Sequence, residues 1–183
     1  MLGWIVGGVI VVLLVLFLVV MYNRLVGLRN KVENAWAQID VQLKRRYDLI
    51  PNLVETVRGY AAHERQTLES VTQARANALN AQGAVAQAEA ENVLTAALRS
   101  LFAVAEAYPD LKANQNFLSL QEELATTENR IAYSRQYYND SVQSYNTAIQ
   151  TVPANFIAGV FGFRVREYFT APEEERGPVR VQF

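Results

Sequence analysis

The chain has 183 residues, a formal net charge of −1, one histidine and no cysteine. That balance excludes the basic footprint of a nucleic-acid-binding domain, a disulfide scaffold and a thiol nucleophile. A di-iron site of the kind held in helical bundles needs paired Glu-x-x-His motifs on two helices, and His63 is the only histidine available.

Residues Leu2 to Tyr22 form an apolar run without a charge, closed by Arg24. At about 1.5 Å rise per residue such a run spans a hydrocarbon core of roughly 30 Å. A cleaved secretory signal carries basic residues before its apolar stretch and small residues after it. Here only Met1 precedes the run and Val20-Met21-Tyr22-Asn23 follows, so the run is expected to stay attached as a transmembrane anchor, residues 1–23. Arg24, Arg29, Lys31, Lys44, Arg45 and Arg46 outnumber Glu33 and Asp40 behind it. The positive-inside rule then puts the N-terminus outside and the domain in the cytoplasm, at the cell membrane as a single-pass protein. Gly3 and Gly7 have GxxxG spacing, which permits close approach of two anchors but is also common in membrane helices that stay apart.

Beyond the anchor, strand signals are scarce and Ala, Leu, Gln, Glu and Arg predominate, so the body reads as all-α. Mostly apolar and small residues, with a few polar ones among them, recur at alternating steps of three and four in three stretches. The first comprises Leu25, Leu28, Val32, Ala35, Ile39, Gln42, Arg46 and Leu49. The second is Leu53, Val57, Tyr60, Glu64, Thr67, Val71, Ala74 and Ala78. The third and longest is Phe117, Leu120, Leu124, Thr127, Ile131, Ser134, Tyr138, Ser141, Tyr145 and Ala148. Each is the inward seam of a helix in an antiparallel bundle covering residues 24–150.

Punctuation divides these helices at Asp48 and Pro51, at Gly83 and at Tyr108-Pro109-Asp110-Leu111. With Asp48 as an N-cap, Pro51 falls in a first turn, where its missing amide costs nothing. That reading gives four helices at about 24–47, 49–81, 85–107 and 114–150. The competing reading keeps Pro51 as a kink within one helix running to about residue 80, leaving three.

The residues at these breaks also carry a family resemblance. Arg45-Arg46-Tyr47-Asp48-Leu49-Ile50-Pro51-Asn52-Leu53-Val54, followed by Gly59-Tyr60-Ala61 and His63-Glu64, resembles the signature of the LemA family. Three more stretches match in order: Ala103 to Asn114; Asn116-Phe117 through Leu120-Gln121 and Leu124 to Glu128-Asn129-Arg130-Ile131; and Arg135, Tyr138-Asn139, Val142 and Tyr145-Asn146. The resemblance extends from the anchor to Gly162-Phe163 and Tyr168-Phe169. It implies a bacterial-type, single-pass membrane protein with a helical-bundle domain, and brings no established biochemical activity. A LemA-like branch is associated with magnetosome membranes, and no residue marks this chain as belonging to it.

Catalytic machinery is not legible. No glycine-rich elbow or oxyanion-hole sequence surrounds His63, and no phosphate-cradling loop occurs, so no enzyme activity, metal or cofactor is expected. His63 beside Glu64 reads as a polar helix residue. The polar signature residues Arg45, Arg46, Asp48, Asn52, Glu128, Arg130, Arg135 and Asn139 admit two readings: a cluster recognising a partner's carboxylate or phosphate, or an internal ion-pair and amide network that fixes helix register. The second is favoured, because a buried unpaired charge costs several kcal/mol and must find a partner.

Within the C-terminal segment 151–170, the apolar stretch from Val152 to Phe163 is too short for a second span. The segment either folds over the end of the bundle or, in the four-helix case, sets Phe156, Phe161, Phe163, Tyr168 and Phe169 against the membrane or a neighbouring protomer. The tail from Ala171, with Glu173-Glu174-Glu175, reads as exposed and flexible. Two function classes survive: a membrane-anchored, non-enzymatic scaffold that self-associates or holds partners at the cytoplasmic face, and an adaptor or regulatory subunit of a membrane enzyme such as a protease. Membrane lipid, a second copy of the chain and a membrane-protein partner are the expected contacts.

Overall fold

The computed structural model describes residues 2–169. The tail expected from Ala171 lies outside the described residues. Six helices account for most of the chain, with no strand among the described residues: α1 Leu2–Tyr60, α2 Arg65–Asn80, α3 Ala84–Glu106, α4 Pro109–Lys112, α5 Gln115–Gln150 and α6 Ala154–Val160.

The reversal expected at Pro51 is absent. Helix α1 runs through Pro51 and ends at Tyr60, and the chain turns instead at Ala61–Glu64. Asp48 is consequently an exposed mid-helix residue and no N-cap, and the helix expected to reach about residue 80 is two. The reason lies in one hydrogen bond. Proline has no amide to donate to the carbonyl four residues earlier, which here belongs to Tyr47. Arg75 on α2 supplies the missing donor, its Nε standing 2.7 Å from the Tyr47 carbonyl oxygen. A buried orphan acceptor would cost about 1–3 kcal/mol, and the arginine removes it.

The described residues fall into two compact units. One comprises residues 38–135 with Tyr168 and Phe169. Its core is built from Ile39, Leu43, Ile50, Leu53 and Val57 of α1, Leu68, Val71 and Ala74 of α2, Leu94, Leu98 and Leu101 of α3, and Phe117, Leu124 and Ile131 of α5, all buried. The order of contacts gives the direction of two helices: Tyr60 meets Asn114 at the start of α5 while Arg46 meets Glu128 farther along, so α1 and α5 run oppositely.

Local chemistry explains the breaks in this unit. Gly83 opens α3 at φ +86°, a conformation that side chains with a Cβ disfavour. Tyr108 is extended, as a residue before proline must be, and Pro109 starts α4. Asn114 Oδ1 accepts the Phe117 amide at 3.1 Å and caps α5. The two turns at this end are tied together. Asn114 Nδ2 donates to the Tyr60 hydroxyl at 2.9 Å, and the Tyr108 hydroxyl donates to Glu64 Oε1 at 3.2 Å. His63, in the first turn, is exposed.

The other unit comprises residues 2–37 and 136–167. From Gly3 to Val20 every side chain of α1 is exposed, and the 18-residue window of highest hydropathy averages 3.1 with none of it buried. By length and composition this stretch can cross a membrane. Burial begins abruptly on the same helix with Leu25, Val32 and Ala35, and Tyr138, Val142, Tyr145 and Ile149 of α5 are buried in the same unit. Trp36 and Tyr138 meet edge to face, with ring centroids 5.4 Å apart.

After α5 the chain passes a cis Val152–Pro153 peptide and α6, then runs as a ribbon without regular secondary structure from Phe163 to Phe169. Asn146 fixes that ribbon at both polar groups of one residue: its Nδ2 donates to the Arg166 carbonyl and its Oδ1 accepts the Arg166 amide, each at 2.9 Å. The Tyr138 hydroxyl donates to the Glu167 carbonyl, also at 2.9 Å. Arg166 reaches Glu33 at 3.1 Å.

Candidate functional site

A buried polar network sits where α1, α3 and α5 converge in the unit of residues 38–135. Arg46 is 1% exposed, although arginine is among the residues least often buried. Its Nη1 donates to Glu91 Oε2 at 2.7 Å, and Glu91 is fully buried. Its Nη2 donates to Thr95 Oγ1 at 2.9 Å and contacts Glu128 Oε1 at 2.7 Å. One cation thus faces two carboxylates, of which Glu128 is 41% exposed and keeps contact with water. Within the described residues Arg46 Nε has no hydrogen-bond partner.

The second carboxylate oxygen of Glu91 is also occupied. The Tyr47 hydroxyl donates to Glu91 Oε1 in a short hydrogen bond, and Gln87 Nε2 donates to the same oxygen at 3.2 Å and to the Tyr47 hydroxyl oxygen at 2.8 Å. Gln87 Nε2 also reaches the Ala78 carbonyl of α2 at 3.2 Å. Burial, reinforced by the Glu91 hydrogen bond and negative charge, pushes the Tyr47 hydroxyl well above its ordinary value of 10.0. The group is therefore a proton donor locked to its carboxylate, the reverse of what a nucleophile or general base at neutral pH requires. The arrangement joins one buried cation and two carboxylates across α1, α3 and α5.

The expected polar residues divide. Arg46 and Glu128 join this network. Arg45, Asp48 and Asn52 lie on an exposed stripe of α1, spaced three and four apart, and Arg45 approaches Glu123 at 3.9 Å. Arg130 is exposed on α5. Arg135 is half-buried and covers the ring of Phe169 at 4.5 Å, and Phe169 is itself buried. Asn139, in the other unit, is half-buried. Of the expected membrane or protomer contacts, Phe156 and Phe161 are exposed and Phe163 is half-buried beside them. Tyr168 is exposed and belongs with Phe169 to the unit of residues 38–135.

Glu91, Gln87, Thr95 and Arg75 were not picked out by the sequence motifs. A signal for the first two existed. In the alanine-rich stretch, Ala84, Gln87, Glu91, Leu94, Leu98, Leu101 and Ala105 follow the inward three-and-four spacing, so a glutamine and a glutamate stand at core positions. A broad groove of about 910 Å³ lies elsewhere, along Arg58, Arg65, Gln66 and Glu69. Its charged side chains are all exposed, and no buried ionisable group points to chemistry there.

The LemA family model matches residues 35–183, most of the chain, and takes in the buried network whole. The chain belongs to the LemA family. It is 28% identical over 155 residues to Protein LemA of Metamycoplasma hominis, covering 84% of this chain and 71% of that relative. It is 26% identical over 185 residues to Magnetosome protein MamQ 2 of Paramagnetospirillum magneticum, covering 87% and 68%. Magnetosome protein MamQ of Magnetospirillum gryphiswaldense is 26% identical over 178 residues, covering 83% and 65%. For a LemA-family chain the network explains the Arg46-Tyr47 and Glu128 motifs as members of one ion cluster. It explains Pro51 through the Tyr47 carbonyl that Arg75 takes up.

Proposed function

We infer that this LemA-family chain is a membrane-anchored, non-enzymatic scaffold or assembly protein whose helical bundle works at the cytoplasmic face through self-association or partner binding. The observation that carries this reading is the transition at Leu25. A single helix passes from a stretch with every side chain exposed to one whose inward residues Leu25, Val32 and Ala35 are buried. The exposed apolar stretch needs a bilayer as solvent, and the packed part begins within a turn of it. The buried network supports the same reading, since it turns the strongest ionic groups inward as a register device. A domain confined to two dimensions gains effective concentration for weak self-association.

A second reading, an adaptor or regulatory subunit of a membrane enzyme such as a protease, is favoured by the exposed stripe of Arg45, Asp48 and Asn52 on α1. The two are separated by light scattering on full-length protein in detergent. Self-association that grows with concentration supports the scaffold, and a strict monomer that co-purifies with one membrane enzyme supports the adaptor. Orientation is tested with Ser100→Cys, at an exposed position in a chain without other cysteines. A membrane-impermeant thiol reagent should leave it unlabelled in intact cells, and labelling without lysis would overturn the cytoplasmic assignment.

A further inference from the structure

The apolar run of α1 does not end against water. Tyr22, its last residue, packs its ring on Phe161 at 4.8 Å and on Phe163 at 5.8 Å. These rings follow α6, and on and beside that helix Val152, Phe156, Val160 and Phe161 are between 61% and 81% exposed. Four large apolar side chains so exposed within ten residues form a patch that a water-soluble surface avoids. Its position names its occupant. Any bilayer that surrounds α1 up to Tyr22 reaches the phenylalanines in contact with Tyr22, so the α6 face is continuous with the surface of the span. A second copy of the chain would have to displace that lipid first.

The polar neighbours fix the kind of lipid. Arg24 stands two residues past the apolar run and has no ion-pair partner among the described residues. Arg29 lies over the Phe163 ring at 5.7 Å, and Arg164 is exposed beside it. Between α1 and the end of α5 runs a groove of about 310 Å³, lined by Met21, Arg24 and Leu28 on one side and Ser144, Thr147 and Val152 on the other. Most of its lining residues are apolar, and the exposed Arg24 is the charged one among them. Basic residues level with a headgroup layer attract anionic lipid, and aromatic rings settle where apolar and aqueous phases meet.

We propose that α6 and the Arg24 groove form an interfacial site for an anionic phospholipid, with the α6 phenylalanines immersed in the leaflet on the domain's side and the lipid phosphate at Arg24. This rests on the reading of α1 as a membrane span. The site makes α6 a second point of attachment, one that responds to the composition of the membrane where α1 alone does not.

Full-length protein is reconstituted in vesicles of phosphatidylcholine and phosphatidylglycerol, carrying an environment-sensitive fluorophore at Phe156→Cys, at Leu13→Cys within the span, or at Asp140→Cys. The last is exposed on α5 ten or more residues before α6, about 15 Å farther along the helix. The probes at Leu13 and Phe156 should be quenched by brominated acyl chains and shielded from iodide, and the probe at Asp140 the reverse. Bromine on phosphatidylglycerol should quench the Phe156 probe more than bromine on phosphatidylcholine, an excess that Arg24→Gln lowers about fivefold. A Phe156 probe open to iodide, or shielded from iodide yet not quenched by brominated lipid, overturns the site; the second result would mean a protein neighbour covers the face. Equal quenching by the two brominated lipids overturns the anionic assignment. An unquenched Leu13 probe would instead overturn the span on which the inference rests.

Discussion

Arg46 on α1 and Glu91 on α3, 45 residues apart in sequence, meet at 2.7 Å with both side chains withdrawn from water. Such a pair adds little net stability, because desolvating two ions offsets most of their attraction. Breaking it from one side is another matter. Glu91→Ala leaves the guanidinium with only Thr95 and the half-exposed Glu128, and should lower unfolding free energy by about 3–5 kcal/mol in denaturant titrations of detergent-solubilised protein. Replacing both partners, as Arg46→Met with Glu91→Leu, should recover most of that loss. A double variant as unstable as the sum of the single changes would show that the pair is not one coupled unit.

The Pro51–Arg75 relationship gives a second test. Arg75→Ala strands the Tyr47 carbonyl that proline has already deprived of its helical donor, at a cost of about 1–3 kcal/mol. With Pro51→Ala, an amide returns and can bond Tyr47 directly. In that background Arg75→Ala should be markedly milder, with a coupling of about 1 kcal/mol or more in the thermodynamic cycle. Equal losses in the two backgrounds would sever the link between the proline and the arginine.

Tyr47 predicts an alkaline limit to stability. Its proton is held more tightly in the folded chain than the ordinary value of 10.0, because of burial and the Glu91 carboxylate. Above about pH 10 the unfolded chain releases this proton while the folded chain retains it, so stability falls as pH rises, by up to about 1.4 kcal/mol per pH unit. Below pH 9 the two states hold the proton alike and no dependence arises. Burial also raises Tyr138 and Tyr145, so the wild-type slope is shared. The difference between wild type and Tyr47→Phe from pH 9 to 11 isolates Tyr47, and parallel curves would contradict the assignment.

The helical seams were legible in the sequence because burial imposes a period. Leu25, Val32, Ala35, Ile39, Leu124, Ile131, Tyr138 and Tyr145 all fall on buried positions, and the stretches 85–107 and 114–150 correspond to α3 and α5 within a residue. Pro51 misled because its local rule is a broken hydrogen bond, and the repair comes from Arg75, 24 positions away, which no local pattern reveals. Tyr60 reads as a seam residue because the spacing that starts at Leu53 runs on unbroken to Ala78. With the turn at Ala61–Glu64, its hydroxyl serves Asn114 instead. Motif reading gathered eight polar residues as one cluster, whereas only Arg46 and Glu128 meet in the buried network and Arg45, Asp48, Asn52 and Arg130 stay outside it. The counter-charge that completes the site, Glu91, lay in an alanine-rich stretch whose polar seam positions were the only clue.

Asn146 carries the last prediction. Its amide satisfies both the N–H and the C=O of Arg166, imitating the pairing of a neighbouring strand for a segment that has none. The helix beneath does not depend on that side chain, since Tyr145, Val142 and Ile149 hold α5 in its core. Asn146→Ala should therefore act locally, leaving the global melting transition close to wild type while releasing the ribbon that follows α6. Hydrogen exchange reports this directly. The Arg166 amide should exchange roughly ten-fold faster or more, the share of about 1.5 kcal/mol that the two bonds contribute, while amides in the middle of α5 stay unchanged. Asn146→Asp is the sharper probe, because it keeps the acceptor for the Arg166 amide and loses the donor to its carbonyl. It should give intermediate exchange, and a ribbon equally protected in all three proteins would mean that the Tyr138–Glu167 and Glu33–Arg166 contacts hold the segment without Asn146.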